Sequence, residues 1–314
     1  MTTINNKMCG EYNLVVTRPD GSSYETGWFK NLILNSGFDR MMSPSVGYLC
    51  IQYASVGSGN SVATASQTQL DAKVGATSNQ VSYPTAVNLG TPTFVSTFSY
   101  NYVFTQGAVV GTIAEVGTGW LSAGPGSLFS RALILDGANN PTTLTLTSID
   151  QLTVYYKVTV TPTVTDASGS VTINGTAVNY TVRLSNASIF FGTNQFLGYN
   201  TGNPFTGNIV APYPNIYTYG GTVTHGTLTS TSMNATTSLY QQPTLLSSTY
   251  VSGSLSQDTT WTWGPTLANH TGGSLSGIGL SWGPGINYNI LFATPILKTS
   301  TKSFSIVTRL TWSR

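Results

Sequence analysis

Charge is what this 314-residue chain most lacks. Asp, Glu, Lys and Arg make up 7% of it, against roughly 25% in an ordinary soluble domain. Between Leu184 and Leu297 the only charged residue is Asp258, and the stretch from Val74 to Ala114 carries none. A monomer in a crowded solution relies on surface charge to stay soluble and apart from its neighbours. Here Ser, Thr, Asn, Gly and Tyr fill those positions. Such a surface suits burial in a larger assembly, or survival outside a cell. Structural and recognition proteins therefore become the better expectation, and metabolic enzymes the poorer one.

Other absences narrow the field. The formal charge is +2 and the densest basic stretch, Lys298 to Lys302, holds two charges, so no nucleic-acid partner is expected. No run of 18 apolar residues exists, which speaks against a membrane span. The start, MTTINNKMCGEYN, lacks the apolar centre of a secretory signal. Cys9 and Cys50 are too few for a disulfide framework and are expected as buried free thiols. His225 and His270 stand far apart, with no Cys, Asp or Glu beside them, so no metal site is expected. No GxSxG or GxCxG offers a nucleophile, and the ten acidic residues are scattered, with Asp20, Asp136 and Asp166 in turn-like surroundings. Val56-Gly57-Ser58-Gly59 leads into neither a helix nor GK[ST], so it reads as a turn and not a phosphate loop. Asn-x-Ser/Thr triplets at Asn174, Asn179, Asn186, Asn234 and Asn269 fit chance in a chain this rich in Asn and Thr. No catalytic, cofactor-binding or metal-ligating residue and no cofactor is expected.

What is present is strand after strand. Short runs rich in Val, Ile, Thr, Tyr and Trp are divided by Gly, Pro, Asn and Ser. Glu11 to Thr17, a turn at Arg18-Pro19-Asp20-Gly21 and Ser23 to Phe29 read as a hairpin. Phe94 to Phe104 alternates, with Phe98, Tyr100 and Tyr102 on one side; Thr142 to Thr147 and Leu152 to Val160 alternate likewise. Asn174-Gly175 marks a hairpin between Ser170–Ile173 and Thr176–Leu184. Trp261 and Trp263 share a face and are expected in the core, and the last strand, Ser303 to Trp312, is expected inside a sheet with Lys298 and Arg314 as solvent-facing flanks. One short helix is expected at Asn35 to Met42. The fold expected is all-β: two β-sandwich-like domains with long loops and minimal helix, at 1–162 and 163–314. Gly124-Pro125-Gly126 before Leu133-Ile134-Leu135 is echoed by Gly283-Pro284-Gly285 before Pro295-Ile296-Leu297, which suggests the second domain as a divergent repeat of the first.

Gly198 to Gly221 reads as a long loop with five aromatics, three prolines and no charge. Its Phe205, Tyr213, Tyr217 and Tyr219 are the candidate partner or receptor contacts. Subunit contact, host-surface recognition (a glycan, for instance) and plain loop packing all stay open for them.

Several segments in sequence order resemble virion proteins of tailed bacteriophages and prophages. They are TGWFKNLILNSGFDRMM (Thr26 to Met42), VGSGNSVATASQTQLDAKV (Val56 to Val74), TIAEVGTGW (Thr112 to Trp120) and LFSRALILD (Leu128 to Asp136). Asp150 to Arg183 and the close ATPILKTSTKSFSIVTRLTWSR (Ala293 to Arg314) continue the likeness, while roughly 187–285 matches nothing placed. The resemblance implies a tail-associated structural protein at the tail tip or baseplate, a fibre attachment or the neck. Its partners would be other virion proteins and its own copies in a symmetric homo-oligomer, and its location the virion, assembled in the bacterial host cytoplasm. A capsid decoration protein and a receptor-binding or depolymerase tail protein remain alternatives.

Overall fold

The computed structural model of the chain describes residues 2–42, 50–89, 95–122, 124, 126–173, 175–185, 212–228, 230, 233–241, 243, 245–282 and 286–314. Strands β1 (Thr2–Thr17), β2 (Ser23–Glu25), β3 (Phe29–Lys30) and β4 (Leu32–Ile33) lead into the helix α1 (Asn35–Met42). Then come β5 (Tyr53–Gly57), β6 (Lys73–Thr77), β7 (Gln80–Leu89), β8 (Val95–Phe104) and β9 (Gly111–Ile113). The next four are β10 (Glu115–Gly119), β11 (Leu128–Leu133), β12 (Leu144–Leu146) and β13 (Gln151–Pro162). The remainder comprises β14 (Ala167–Ile173), β15 (Thr176–Ser185), β16 (Pro212–Thr224), β17 (Asn234–Tyr240) and β18 (Leu245–Tyr250), then β19 (Ser256–Trp263), β20 (Ser274–Trp282), β21 (Ile286–Leu297) and β22 (Phe304–Ser313). The fold is all-β, and α1 is the only α-helix among the described residues.

A nine-stranded sheet in the order β18-β19-β22-β1-β13-β8-β7, with β2 and β3 also on β1, forms the spine. β1 holds it together. One edge of β1 pairs antiparallel with β13 from Asn6 to Thr17. Its other edge is divided: Thr2 to Lys7 run parallel to Thr308–Ser313 of β22, while Glu11 to Thr17 take β3 and β2. Every second residue of β13 is buried, as are Phe98, Tyr100, Tyr102 and Phe104 of β8, and Ile306, Thr308, Leu310 and Trp312 of β22. Period-two alternation puts all of these on one face.

Two smaller sheets cover that face. The five-stranded sheet β4-β11-β10-β5-β6 lies over the β1-β13-β8 part. There the Tyr12 hydroxyl meets Ser130 Oγ at 2.7 Å, and the Tyr102 hydroxyl donates to the Ile51 carbonyl at 2.9 Å. The six-stranded sheet β14-β15-β21-β20-β16-β17 lies over the β19-β22-β1 part. Phe292 meets Phe304 edge-on at 6.1 Å, and the Tyr288 hydroxyl donates to Asn6 Oδ1 at 3.2 Å. Trp261 and Trp263 are fully buried there, as their shared face implied. Helix α1 bridges the two regions: Phe38 packs on Trp312 at 6.4 Å, Ser36 bonds the Leu128 carbonyl, and the Met42 carbonyl accepts from Gln257.

Several expectations need correction. The boundary drawn at 162 is crossed by the long sheet, because β18, β19 and β22 hydrogen-bond in line with β1, β13, β8 and β7; only the two smaller sheets keep to their own halves. The reason lies in β1, whose residues Thr2 to Lys7 pair with β22 while Asn6 and Lys7 already pair with β13 on the other edge. Cys9 is not buried: it points outward from β1, whereas Cys50 is buried, and neither is in a disulfide. Lys298 is no solvent-facing flank. It is 1% exposed, and its ammonium donates to the carbonyls of Gly264, Pro265 and Thr299 and to Asn269 Oδ1 at 3.0–3.2 Å. Four oxygens replace its water, though burial still lowers its pKa from the usual range. The hairpin at Gly175 forms as expected, with φ +77° at that glycine.

Gly10 sits mid-strand on the buried face of β1, where an added Cβ would lie 2.5 Å from Asn31 Oδ1 and 2.9 Å from the Tyr156 hydroxyl. Gly10→Ala should therefore cost about 1–3 kcal/mol through overpacking, read as a lower urea midpoint at unchanged slope. An unaltered midpoint would mean that Asn31 gives way freely.

Candidate functional site

The four aromatic candidates meet different fates. Phe205 lies outside the described residues, as does 198–211 of the expected loop. From Pro212 onward that loop is instead strand β16, a central strand between β20 and β17. The Pro-rich sequence hid it. Pro214 falls within a register shift between Tyr213 and Tyr217, where a missing ladder bond is tolerated. Tyr213 stands opposite Ser281, Tyr217 opposite Gly279 and Tyr219 opposite Gly277. Tyr217 and Tyr219 stack at 6.3 Å, but Tyr217 is 41% exposed and Tyr219 only 1%. The backbone of Met233 bonds the Tyr219 hydroxyl, whose pKa burial pushes up to about 12, and the Met233 sulfur lies over Gly277. Tyr219 is thus a packing residue, and Tyr217 is the exposed member of the pair.

His225, Gly226 and Met233, which follow β16 in the chain, lie over the outer side of the six-stranded sheet. His225 Nε2 meets Thr181 Oγ1 at 2.8 Å, and Arg183 donates to the Gly226 carbonyl while its other nitrogens grip Asp166. His270 is 5% exposed, its two ring nitrogens 3.0 and 3.1 Å from the hydroxyls of Thr237 and Thr218. Burial lowers the pKa of both imidazoles, and Arg183 adds to the effect at His225. Among the described residues no three His, Cys, Asp or Glu side chains converge as a metal set would. The six strands of this sheet contain one charged residue, Arg183.

Among the described residues, the one fully buried ion pair lies under cover. Glu115 of β10 and Arg131 of β11 are both fully buried on the outer side of the five-stranded sheet, Arg131 Nε donating to Glu115 Oε2 at 2.9 Å. The segment from Ser58 to Lys73 closes over them. Gly59, Asp71 and Ala72 each donate a backbone N–H to the Glu115 carboxylate at 2.9–3.1 Å. Arg131 also donates to Gln67 Oε1 at 2.8 Å and Asp71 Oδ2 at 2.7 Å. The Ser61 hydroxyl, and after it Arg131, hold the Asp71 carboxyl below its usual range. The supposed Val56–Gly59 turn is in fact the end of β5 plus the start of this cover. A Cβ on Gly57 or Gly59 would press into Glu115. With both Glu115 oxygens and the Arg131 fork engaged by protein, this cluster has the chemistry of a fastening. Nothing in its bonding leaves a carboxylate free to move a proton.

The sequence carried a signal for it that went unread: Glu115 and Arg131 interrupt the apolar strands TIAEVG and SRALIL. A charge inside such a strand is either outward or paired, and here it is paired.

Chemical class is the only limit on what the outer surface can do. Tyr217, Tyr24 at 46% and Trp28 at 40% exposure are large exposed aromatics, and the Lys157 ammonium stands 3.6 Å over the Trp28 ring. Stacking, hydroxyl hydrogen bonds and shape matching are available there.

Removing one partner of a buried ion pair leaves the other uncompensated. Glu115→Gln should cost about 3–5 kcal/mol in urea unfolding and open 58–73 to proteolysis; a change below about 1 kcal/mol would contradict the fastening role. The two histidines give a pH signature. Their folded pKa values lie below the unfolded value near 6.5. As pH falls below about 6.5, protons bind the unfolded chain first, so their contribution to stability is full above that pH and declines below it. The melting temperature should therefore drop between pH 7 and 5, before the carboxylates titrate, and less steeply in His270→Gln; equal slopes in the two proteins would refute the assignment.

No protein family, curated protein or solved structure matches this chain.

Proposed function

We propose that this chain is a virion structural protein of a tailed bacteriophage, tail-associated, and that it works by protein–protein assembly and not by catalysis. The supporting observation is the distribution of charge. The six-stranded sheet has a single charged side chain, Arg183, ion-paired to Asp166, and the fully buried ion pair, Glu115–Arg131, is sealed inside. Burying a neutral hydroxyl-rich face against another subunit strips few charges of water, so association loses little to desolvation. The ordered likeness of 26–183 and 293–314 to phage tail proteins supports the same reading. In it the chain sits in the virion as a symmetric homo-oligomer against other virion proteins, with Tyr217 at a subunit or host-surface contact. Head decoration and host-receptor binding are the neighbouring readings, separated from this one by position in the particle.

Mass spectrometry of purified particles should find the chain in several copies, and labelled antibody should place it on the tail. Particles without it would end the proposal; label on the head would move it to the decoration reading. Tyr217→Ala should leave the fold intact and reduce incorporation or host adsorption. Tyr219→Ala should instead lower stability by about 3 kcal/mol or more, as for a buried aromatic.

A further inference from the structure

We propose that β14 is a docking edge for a second copy of this chain, whose own β14 adds antiparallel about a two-fold axis at Ser170. The pairing deepens the assembly reading above and rests on it for its setting. β14 ends the six-stranded sheet, so among the described residues one side of its backbone has no strand beside it. Natural edges are normally blunted by charge, proline, bulges or shortness. Other edges here follow that rule: β7 carries Pro84 and two register shifts, β6 carries Lys73 and one shift, and β4 is two residues long. β17 borders a shift as well. β14 has none of these, and its seven residues pair with β15 without interruption.

Its sequence, Ala-Ser-Gly-Ser-Val-Thr-Ile, is also matched to itself. About Ser170, antiparallel pairing sets Ser168 against the copy's Thr172 and Gly169 against the copy's Val171. Ser168, Ser170 and Thr172 are exposed and form one hydroxyl row. Gly169, Val171 and Ile173 lie on the other side, half-buried, with Val171 and Ile173 packed against the core. Each valine would then stand beside a glycine, and the apolar strip would run on through the axis into the copy. A charge near a two-fold axis meets its own like; β14 contains none, Asp166 just before it is ion-paired to Arg183 of β15, and Lys302 lies at the far end beside Ile173. β18 is also uncharged, but pairing it with itself would set Leu246 against Thr249, apolar against polar. The ground beside β14 is open to a partner too. A hollow of about 760 Å³ lined by Ser168, Ser170, Thr181, Leu291 and Ala293 flanks it. Another of about 230 Å³ reaches Ile173, beside Leu297, which is 59% exposed. The dimer would join two six-stranded sheets into one continuous sheet, an isologous contact of the kind closed assemblies use.

Register makes this testable with the full chain. In a Cys9→Ser background, Ser170→Cys should form a disulfide-linked dimer under mild oxidation, because that residue faces itself across the axis. Ser168→Cys and Thr172→Cys singly should cross-link far more slowly, and the double variant should recover the dimer. Ser170→Lys should weaken the dimer at least about tenfold in sedimentation, since two ammonium groups would meet. Ser170→Cys linking no faster than Thr172→Cys, in isolated protein and in particles alike, would overturn the pairing. So would its linking to a different protein. A register-specific dimer from a chain missing from particles would overturn the virion reading alone, and a chain present in particles without the link would overturn the pairing alone.

Discussion

Everything in this fold depends on β1 being paired along both edges. Its backbone from Thr2 to Lys7 lies beside β22, is joined on the other edge by β13 from Asn6, and from Glu11 onward lies between β13 and the short strands β3 and β2. Buried N–H and C=O groups left without partners would be costly. The strand can therefore sit at the centre of the molecule only because the chain supplies partners from both of its ends. With that strand satisfied, the spine presents one largely apolar face, broken by Asn6, Gln257, Thr259 and Thr308, and the two smaller sheets bury it side by side.

The second organising principle is where the ions are. Most proteins place charge outside and use pairing to excuse the few charges within. Here the most thoroughly satisfied ions, Arg131 with Glu115 and Lys298 in its ring of oxygens, are inside, where they fasten a covering segment and a turn. The outside carries sparse charge among many hydroxyls and amides, with Arg183–Asp166 and Arg309–Asp258 paired at the surface. Buried ion pairs gain little net stability over apolar packing, so their effect here is to define which segment lies over which strand. The cover at 58–73, whose one large buried apolar residue is Leu70, is held by these ions together with backbone bonds from Asn35 and Gly126 to the carbonyls of Ala65 and Thr68.

Much of the fold was legible because period-two alternation is a local property. The β8 and β13 strands, the Asn-Gly hairpin and α1 follow from neighbours a few residues apart. What escaped did so for physical reasons. The first half of β1 was missed because Asn6 and Gly10 stand at inward positions where apolar residues were sought; Asn6 answers Tyr288 across the core, and Gly10 yields its space to Asn31 and Tyr156. The sharing of the long sheet between halves was invisible, since β1 and β22 pair from opposite ends of the sequence and parallel pairing leaves no turn to announce it. β16 looked like a loop because Pro212, Pro214 and the tyrosines obeyed loop composition, while a register shift let them enter a sheet. Of the candidate aromatics, Tyr217 could be separated from Tyr219 only by seeing Met233 arrive from elsewhere to cover one of them.

The parallel contact of β1 with β22 has a mechanical meaning. Thr2 lies beside Thr308 and Lys7 beside Ser313. Tension applied at Thr2 and Ser313 in opposite directions would slide the two strands lengthwise past each other. All the bonds of that ladder then resist at once, whereas strands peeled from one end surrender their bonds singly. A chain in this arrangement is stiff towards pulling along its terminal strands and comparatively weak towards peeling across them.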